Sequence, residues 1–302
     1  MILALLVVLS IAGAAKEDKS HHAMDANYKV VSCRIDSTNT MIDDFVAKVP
    51  QASGLADQKT KLNADKTQLG TLHDSGDRSA YNSYSTGTYL PDQKTANKAL
   101  EDARKHLKLW NVSQEVITEL KQTADDQKKA FADCKTGAVG DFGNAKIAGY
   151  KNLISEMENE MNTLKQKHPD VDTTRMQQVL TSAGSFVDEL EQKFNAATTG
   201  EEKQKTLRGY CLFNGCGGGQ NFHLAGKFTS ARLEAILNAL PNTPEEKATA
   251  QGYVDAANQA LTGVGTSEYT PETREAVWGN LQNAAKEIKS LINGEEKKNE
   301  ST

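Results

Sequence analysis

A stripe of positions at alternating spacings of three and four, mostly small or apolar, runs from Ala96 through Ala99, Ala103, His106, Trp110, Ser113, Ile117, Leu120, Ala124, Gln127 and Phe131 to Cys134, with neither Pro nor Gly inside the run. That spacing keeps all of them on one face of an α-helix. It predicts a single helix roughly 58 Å long at the usual rise per residue. The segment from Tyr28 to Leu72 carries the same rhythm in Val31, Ile35, Ile42, Phe45 and Val49, slips in phase at Pro50 to Gly54, and resumes at Leu55, Leu62 and Leu69. Between the two runs lies the polar stretch His73 to Leu90. The expectation is a long helical hairpin with a kink or break at Pro50 to Gly54, the spacing leaving open whether that break bends or turns the chain, and with its turn in the polar stretch.

The remaining chain repeats the theme. Three glycines between Lys135 and Asn144 predict a turn, after which Ile147, Tyr150, Ile154, Met157, Met161 and Leu164 mark a helix that breaks at Pro169 and resumes through Met176, Val179, Phe186, Leu190 and Phe194. Thr174 with Gln177, and Thr199 with Glu202, have the spacing of capping boxes. A further helical run from Phe228 to Leu261 is interrupted at Pro241, where Thr243-Pro244-Glu245-Glu246 supplies an N-cap, a first-turn Pro and an acidic third position. The last helix starts at Pro271 and carries Val277, Leu281, Ala284, Ile288 and Leu291. The fold class is therefore all-α, an elongated antiparallel bundle of long helices with a loop-rich head.

Composition narrows the class. The chain of 302 residues has 35 basic and 40 acidic side chains, a formal net charge of -5, mixed along helical faces rather than gathered in a basic patch, so nucleic acid is not an expected partner. The N-terminal run MILALLVVLSIAGAA has the apolar core and small-residue end of a secretory signal peptide, assigned to residues 1–14. Residues 15–27 read as a disordered leader, 28–292 as one helical ectodomain, and 293–302 as a polar, frayed tail. Beyond that run no segment is apolar enough for a membrane span, so the expectation is a chain without a membrane anchor.

Four cysteines behind a signal peptide imply two disulfides. Residues that face each other in an antiparallel hairpin are equidistant from its turn. Pairing Cys33 with Cys134 centres that turn between Ser83 and Tyr84, inside the polar stretch, so this pair is expected to staple the base of the hairpin. Cys211 and Cys216 then close the short loop Cys-Leu-Phe-Asn-Gly-Cys. A zinc site from these two cysteines and His223 lacks a fourth ligand and the usual spacing. The glycines around Cys216 have neither the preceding strand nor the Lys-Ser/Thr of a phosphate loop.

No constellation of catalytic residues emerges, so the chain reads as a non-enzyme without a cofactor. The candidate binding residues are aromatic. Tyr81, Tyr84 and Tyr89 stand among Ser, Gly, Asn and Thr, a composition suited to recognition surfaces. The second irregular stretch, Leu207 to Phe228, contributes Phe213, Asn214 and Phe222, and the predicted topology delivers it to the same pole. Asn111-Val112-Ser113 and Asn299-Glu300-Ser301 are N-glycosylation sequons, making Asn111 and Asn299 candidate acceptors.

With long Lys-, Glu-, Ala- and Thr-rich amphipathic helices, Cys33 and Cys134 near helix ends, and loops gathered at one pole, the chain resembles the helical-bundle surface receptors of trypanosomes. That group includes invariant surface glycoproteins and haptoglobin-haemoglobin receptors. The likeness is architectural, spans most of residues 28–292, and carries no binding residue with it. It implies an extracellular or cell-surface module that binds a host macromolecule, with an extracellular protein as the expected partner, through its head loops. The alternative is a structural coat or envelope protein whose helices act as spacer and shield.

Overall fold

The computed structural model describes residues 11–209, 219–262 and 271–300, and every regular element among them is helical. The α-helices are α1 (Ile11–Lys48), α2 (Leu55–Asp74), α3 (Arg78–Tyr84), α4 (Leu90–His106), α5 (Gln114–Lys167), α6 (Thr174–Ala196), α7 (Gly200–Gly209), α8 (Gly219–Ala239), α9 (Pro244–Thr262) and α10 (Pro271–Glu300). The all-α expectation holds. The hydrophobic pattern predicts one domain over 28–292, whereas the contacts divide the chain into two compact units. One is Lys16–Gly143 with Thr198–Lys203; the other is Met1–Ala15, Asn144–Ala197 and Gln204–Thr302.

In the first unit α1, α2, α4 and the N-terminal part of α5 pack as four antiparallel helices. Asp36 meets Lys66, Asn39 meets Asn63 and Asp43 meets Lys59, so α2 runs back along α1. The break at Pro50–Gly54 is thus a full reversal rather than a kink. A single 3-10 turn, Pro50–Ala52, makes it, and Ala52 and Leu55 fold inward against Val49. Amphipathic phase alone does not distinguish the two outcomes; what decides is that reversal lets both helices bury one stripe against the other.

The predicted helix from Ala96 to Cys134 is likewise two helices. Its α4 part stops at His106, and α5 starts at Gln114. Asn111 adopts φ 53°, the left-handed conformation Asn tolerates better than most side chains, and the Val112 amide donates back to the Leu107 carbonyl at 3.1 Å. Ser113 then caps α5, accepting from the Val116 amide at 3.3 Å. Turning here folds Leu107 and Leu120 onto Ile42, Phe45 and Val49, burying apolar surface that a straight helix would leave in water.

On α1 and α5, opposed pairs follow one antiparallel register: Cys33 with Cys134, Asp44 with Thr123 (2.7 Å) and Lys48 with Glu119 (2.9 Å). The Cys33–Cys134 disulfide forms as expected, with Cα atoms 6.5 Å apart. The chain between the two cysteines does not make one turn, however; it reverses at Pro50, again at residues 75–77, and again at Asn111. The Cys211–Cys216 pair lies outside the described residues.

Two further expectations change. The glycines between Lys135 and Asn144 sit inside continuous α5 rather than in a turn. Each costs a helix about 1 kcal/mol relative to Ala, but Ala138, Val139 and Phe142 from the same stretch are buried, and that packing outweighs the cost. The leader at 15–27 is part of α1: Met24 is buried, and Asp25 and Asn27 hydrogen-bond to His73 and Tyr81. The residues after 292, expected to fray, continue α10 to Glu300.

In the second unit the C-terminal part of α5 pairs with α6 after a reversal at Pro169, with Lys151 on Glu191 at 2.6 Å. Asp172 caps α6 by accepting from the Thr174 amide at 2.9 Å, in place of the predicted Thr174–Gln177 box. The capping boxes at Thr199–Glu202 and Thr243–Glu246 both form. Pro241 marks another reversal, after which Ser230 of α8 donates to Asn258 of α9. Helix α10 packs along α9 and α8, where Gly226 allows a close approach: a Cβ there would stand 2.8 Å from Leu261 of α9 and 3.5 Å from Val277 of α10. Arg232 of α8 forms a largely buried ion pair with Glu160 of α5.

Candidate functional site

The stretch that reads as a tyrosine-rich loop is mostly helix. Gly76, at φ 72°, ends the run of α2, and Asp77 caps α3 by accepting from the Ala80 amide at 2.9 Å. A π-turn, Ser85–Tyr89, then joins α3 to α4. Its wider turn rotates the helical phase, so that Tyr81 and Tyr89 both face the bundle interior.

This placement corrects the reading of the tyrosines as a binding surface. Tyr81 and Tyr89 are each 1% exposed, packed with Met24, Val31, Ile35, Leu62, Leu69 and Ala96. The Tyr81 hydroxyl donates to Asn27 at 3.0 Å. Tyr84 is half-buried, donating at 2.8 Å to Asp65, and its own hydroxyl is pushed up to about 12 by burial and by that carboxylate. Asp65 is itself buried; desolvation raises its carboxyl above the usual range, and Asp92 adds to the rise. What α3 and the π-turn show to solvent is polar: Arg78, Ser79, Asn82, Ser83, Thr86 and Thr88. Phe213 and Asn214 lie outside the described residues, as does the side chain of Phe222 at the start of α8.

A second feature of the first unit has no counterpart in the sequence reading. Three consecutive residues of α1 reach three different helices. Ser37 donates to the Gln127 carbonyl of α5 at 3.2 Å, Thr38 accepts from Gln93 of α4 at 2.9 Å, and Asn39 donates to Asn63 of α2 at 2.8 Å. They form a polar belt between the two apolar clusters of the unit. Gln93 is buried and also donates to Asn97 at 3.1 Å, with the Tyr89 hydroxyl close to its carbonyl oxygen.

Over this belt α4 and α5 stand apart and leave a solvent-open groove of about 380 Å³, floored by α1. Arg34 of α1, Arg104 of α4 and Lys128 of α5 bring three cations to it. The Arg34 guanidinium lies 5.1 Å from the centre of the Phe131 ring, and Arg104 approaches the Met41 sulfur at 3.6 Å. Nothing in a single helix's pattern announces such a site, because each helix contributes only one cation and ordinary polar neighbours. The register that brings them together depends on the reversals.

No family model matches the chain, and no curated protein or solved structure shows significant similarity to it. The site must therefore speak through its own chemistry. Among the described residues no group of three or more His, Cys, Asp or Glu side chains is arranged to hold a metal ion. No helix there is long and apolar enough to cross a membrane. Asn111 is exposed in the α4–α5 turn; the side chain of Asn299 is outside the described set.

Proposed function

We propose that the chain is an extracellular or cell-surface recognition module that binds a host protein through the end of the first unit built by α3 and the π-turn. The observation that supports this most is the way that end is constructed. Tyr81 and Tyr89 anchor it from beneath, Asp77 caps it, and the outward positions carry polar side chains, Arg78 among them. A surface held in one conformation before binding loses little entropy when it binds. The Cys33–Cys134 bridge agrees with an oxidising compartment, as does the apolar, small-ended N-terminal sequence.

The test is to immobilise the protein, expose it to serum or secretions, and identify what is retained. The same capture is then repeated with Arg78→Glu combined with Asn82→Lys, which alters the outward face and leaves both anchoring tyrosines in place. Retention of one protein by the wild type and its loss from the variant, at unchanged melting temperature, is the expected result. Equal retention by the variant would move the site elsewhere. Retention of nothing would favour a coat or spacer protein, in which the same rigidity serves display without a ligand.

A further inference from the structure

Three cations converge on the groove over the polar belt, against a single carboxylate in its lining. In the same unit Lys29, Lys48, Lys59, Lys66 and Lys105 all form ion pairs with Asp or Glu. Among the described residues Arg34, Arg104 and Lys128 form none, and neither do Lys61, Lys94 or Lys121; what sets the three apart is that they line one groove, where Arg34 is also hydrogen-bonded to the Tyr89 hydroxyl. Asp125 is the one carboxylate on the rim and offsets one of the three charges, leaving the groove cationic.

We propose that this groove is a binding site for a small amphipathic anion, a molecule with an apolar body and a single carboxylate or phosphate headgroup. Its parts divide along those lines. The cations face one concavity from three helices, and the floor beneath them is already fixed: Thr38 and Gln93 are buried and bonded to each other. Asn97 uses its carbonyl oxygen to accept from Gln93, which leaves its amide N–H groups to donate to a headgroup. Phe131 and Met41 provide an apolar wall, and the Arg34 guanidinium against the Phe131 ring joins the two characters in one place. The volume of about 380 Å³ falls in the range of small-molecule sites, roughly 300–1,000 Å³. Charge-assisted hydrogen bonds from a planar guanidinium are well matched to carboxylate and phosphate oxygens. This inference does not rest on the recognition of a protein at the α3 end and stands if that reading fails.

The full chain is titrated with octanoate, with phenyl phosphate and with octanol as an uncharged control, following displacement of the fluorescent anion 8-anilinonaphthalene-1-sulfonate. Saturable displacement by at least one of the two anions is expected, with octanol weaker by about tenfold or more, the effect of losing one charge-assisted hydrogen bond. Whichever anion binds more tightly identifies the headgroup. Raising the salt concentration should weaken the anion and leave octanol unchanged. Arg34→Gln with Arg104→Gln should weaken the anion at least about tenfold without lowering the melting temperature by more than a few degrees. Octanol competing as well as the anions, a salt-independent anion affinity, or the absence of saturable displacement would each overturn the proposal, and the salt and octanol arms decide it even if the double variant misfolds.

Discussion

Replacing Tyr81 and Tyr89 together by Ala tests whether these rings hold the first unit together. Each is 1% exposed in the cluster formed by α1, α2 and α4. Truncating a buried aromatic to Ala costs about 3–5 kcal/mol through lost burial and the cavity left behind. Removing the Tyr81 hydroxyl also loses its 3.0 Å hydrogen bond to the exposed Asn27 side chain, adding up to about 1 kcal/mol. The two rings share neighbours, so the costs will not add fully. Even about 6 kcal/mol is comparable with the total stability of an ordinary domain, roughly 5–15 kcal/mol. The double variant should therefore lose helical circular dichroism and unfold at low urea, whereas Tyr81→Phe, which keeps the ring, should lose only about 1 kcal/mol. If the double Ala variant melts within a few degrees of the wild type, the rings do not form this core and the placement of α3 is wrong.

Replacing Cys33 and Cys134 by Ser opens a ring spanning a sequence separation of 101 residues, worth about 4.7 kcal/mol in the chain-entropy model; urea melts with and without reductant should show a shift approaching that, and coincident melts would refute it. Asp65→Asn keeps an acceptor for Tyr84 while removing a buried charge, so the variant should be at least as stable as the wild type at pH 7, and a lower melting temperature would contradict the burial argument. Burial works against protonation of His73, but the carboxylates of Asp74 and Asp25 outweigh it and raise its pKa, so its contribution is complete below about pH 6.5 and is lost as pH rises through the folded value. His223 has the opposite sign: burial and Lys227 push it down to about 4, so the wild type should lose stability as pH falls from about 6.5 toward that value. Urea melts of His73→Asn and of His223→Leu across this range should flatten the neutral and the acid limb respectively, and unchanged limbs would remove these groups from the account.

The helices themselves were legible as apolar stripes, and Val31, Ile35, Ile42 and Phe45 are buried where the stripe places them. Their ends were less so. A stripe states which face is buried but not whether the chain continues or turns back, and at Pro50, Pro169 and Pro241 the outcome is reversal each time. The stop after His106 had a subtler signal, an Asn able to take positive φ two residues before a Ser N-cap. Gly76 followed by Asp77 marked the start of α3 in the same manner. The glycines near residue 140 misled in the other direction, because helix propensity is a weak term against the burial of Val139 and Phe142. The groove was not legible at all: Arg34, Arg104 and Lys128 look like ordinary solvated charges until the register of three helices is known.

The bridge between α1 and α5 also governs what happens when the backbone is cut. Cys33 and Cys134 tie the first helix of the four to the last, so α2, α3 and α4 lie within a covalent ring. Exposed Arg78 at the start of α3 and exposed Lys108 in the α4–α5 turn are both inside it. A trypsin-like protease that severs the chain at either place opens the ring without dividing the molecule. The two pieces stay joined through sulfur, and release of a fragment requires a second cut or a reductant.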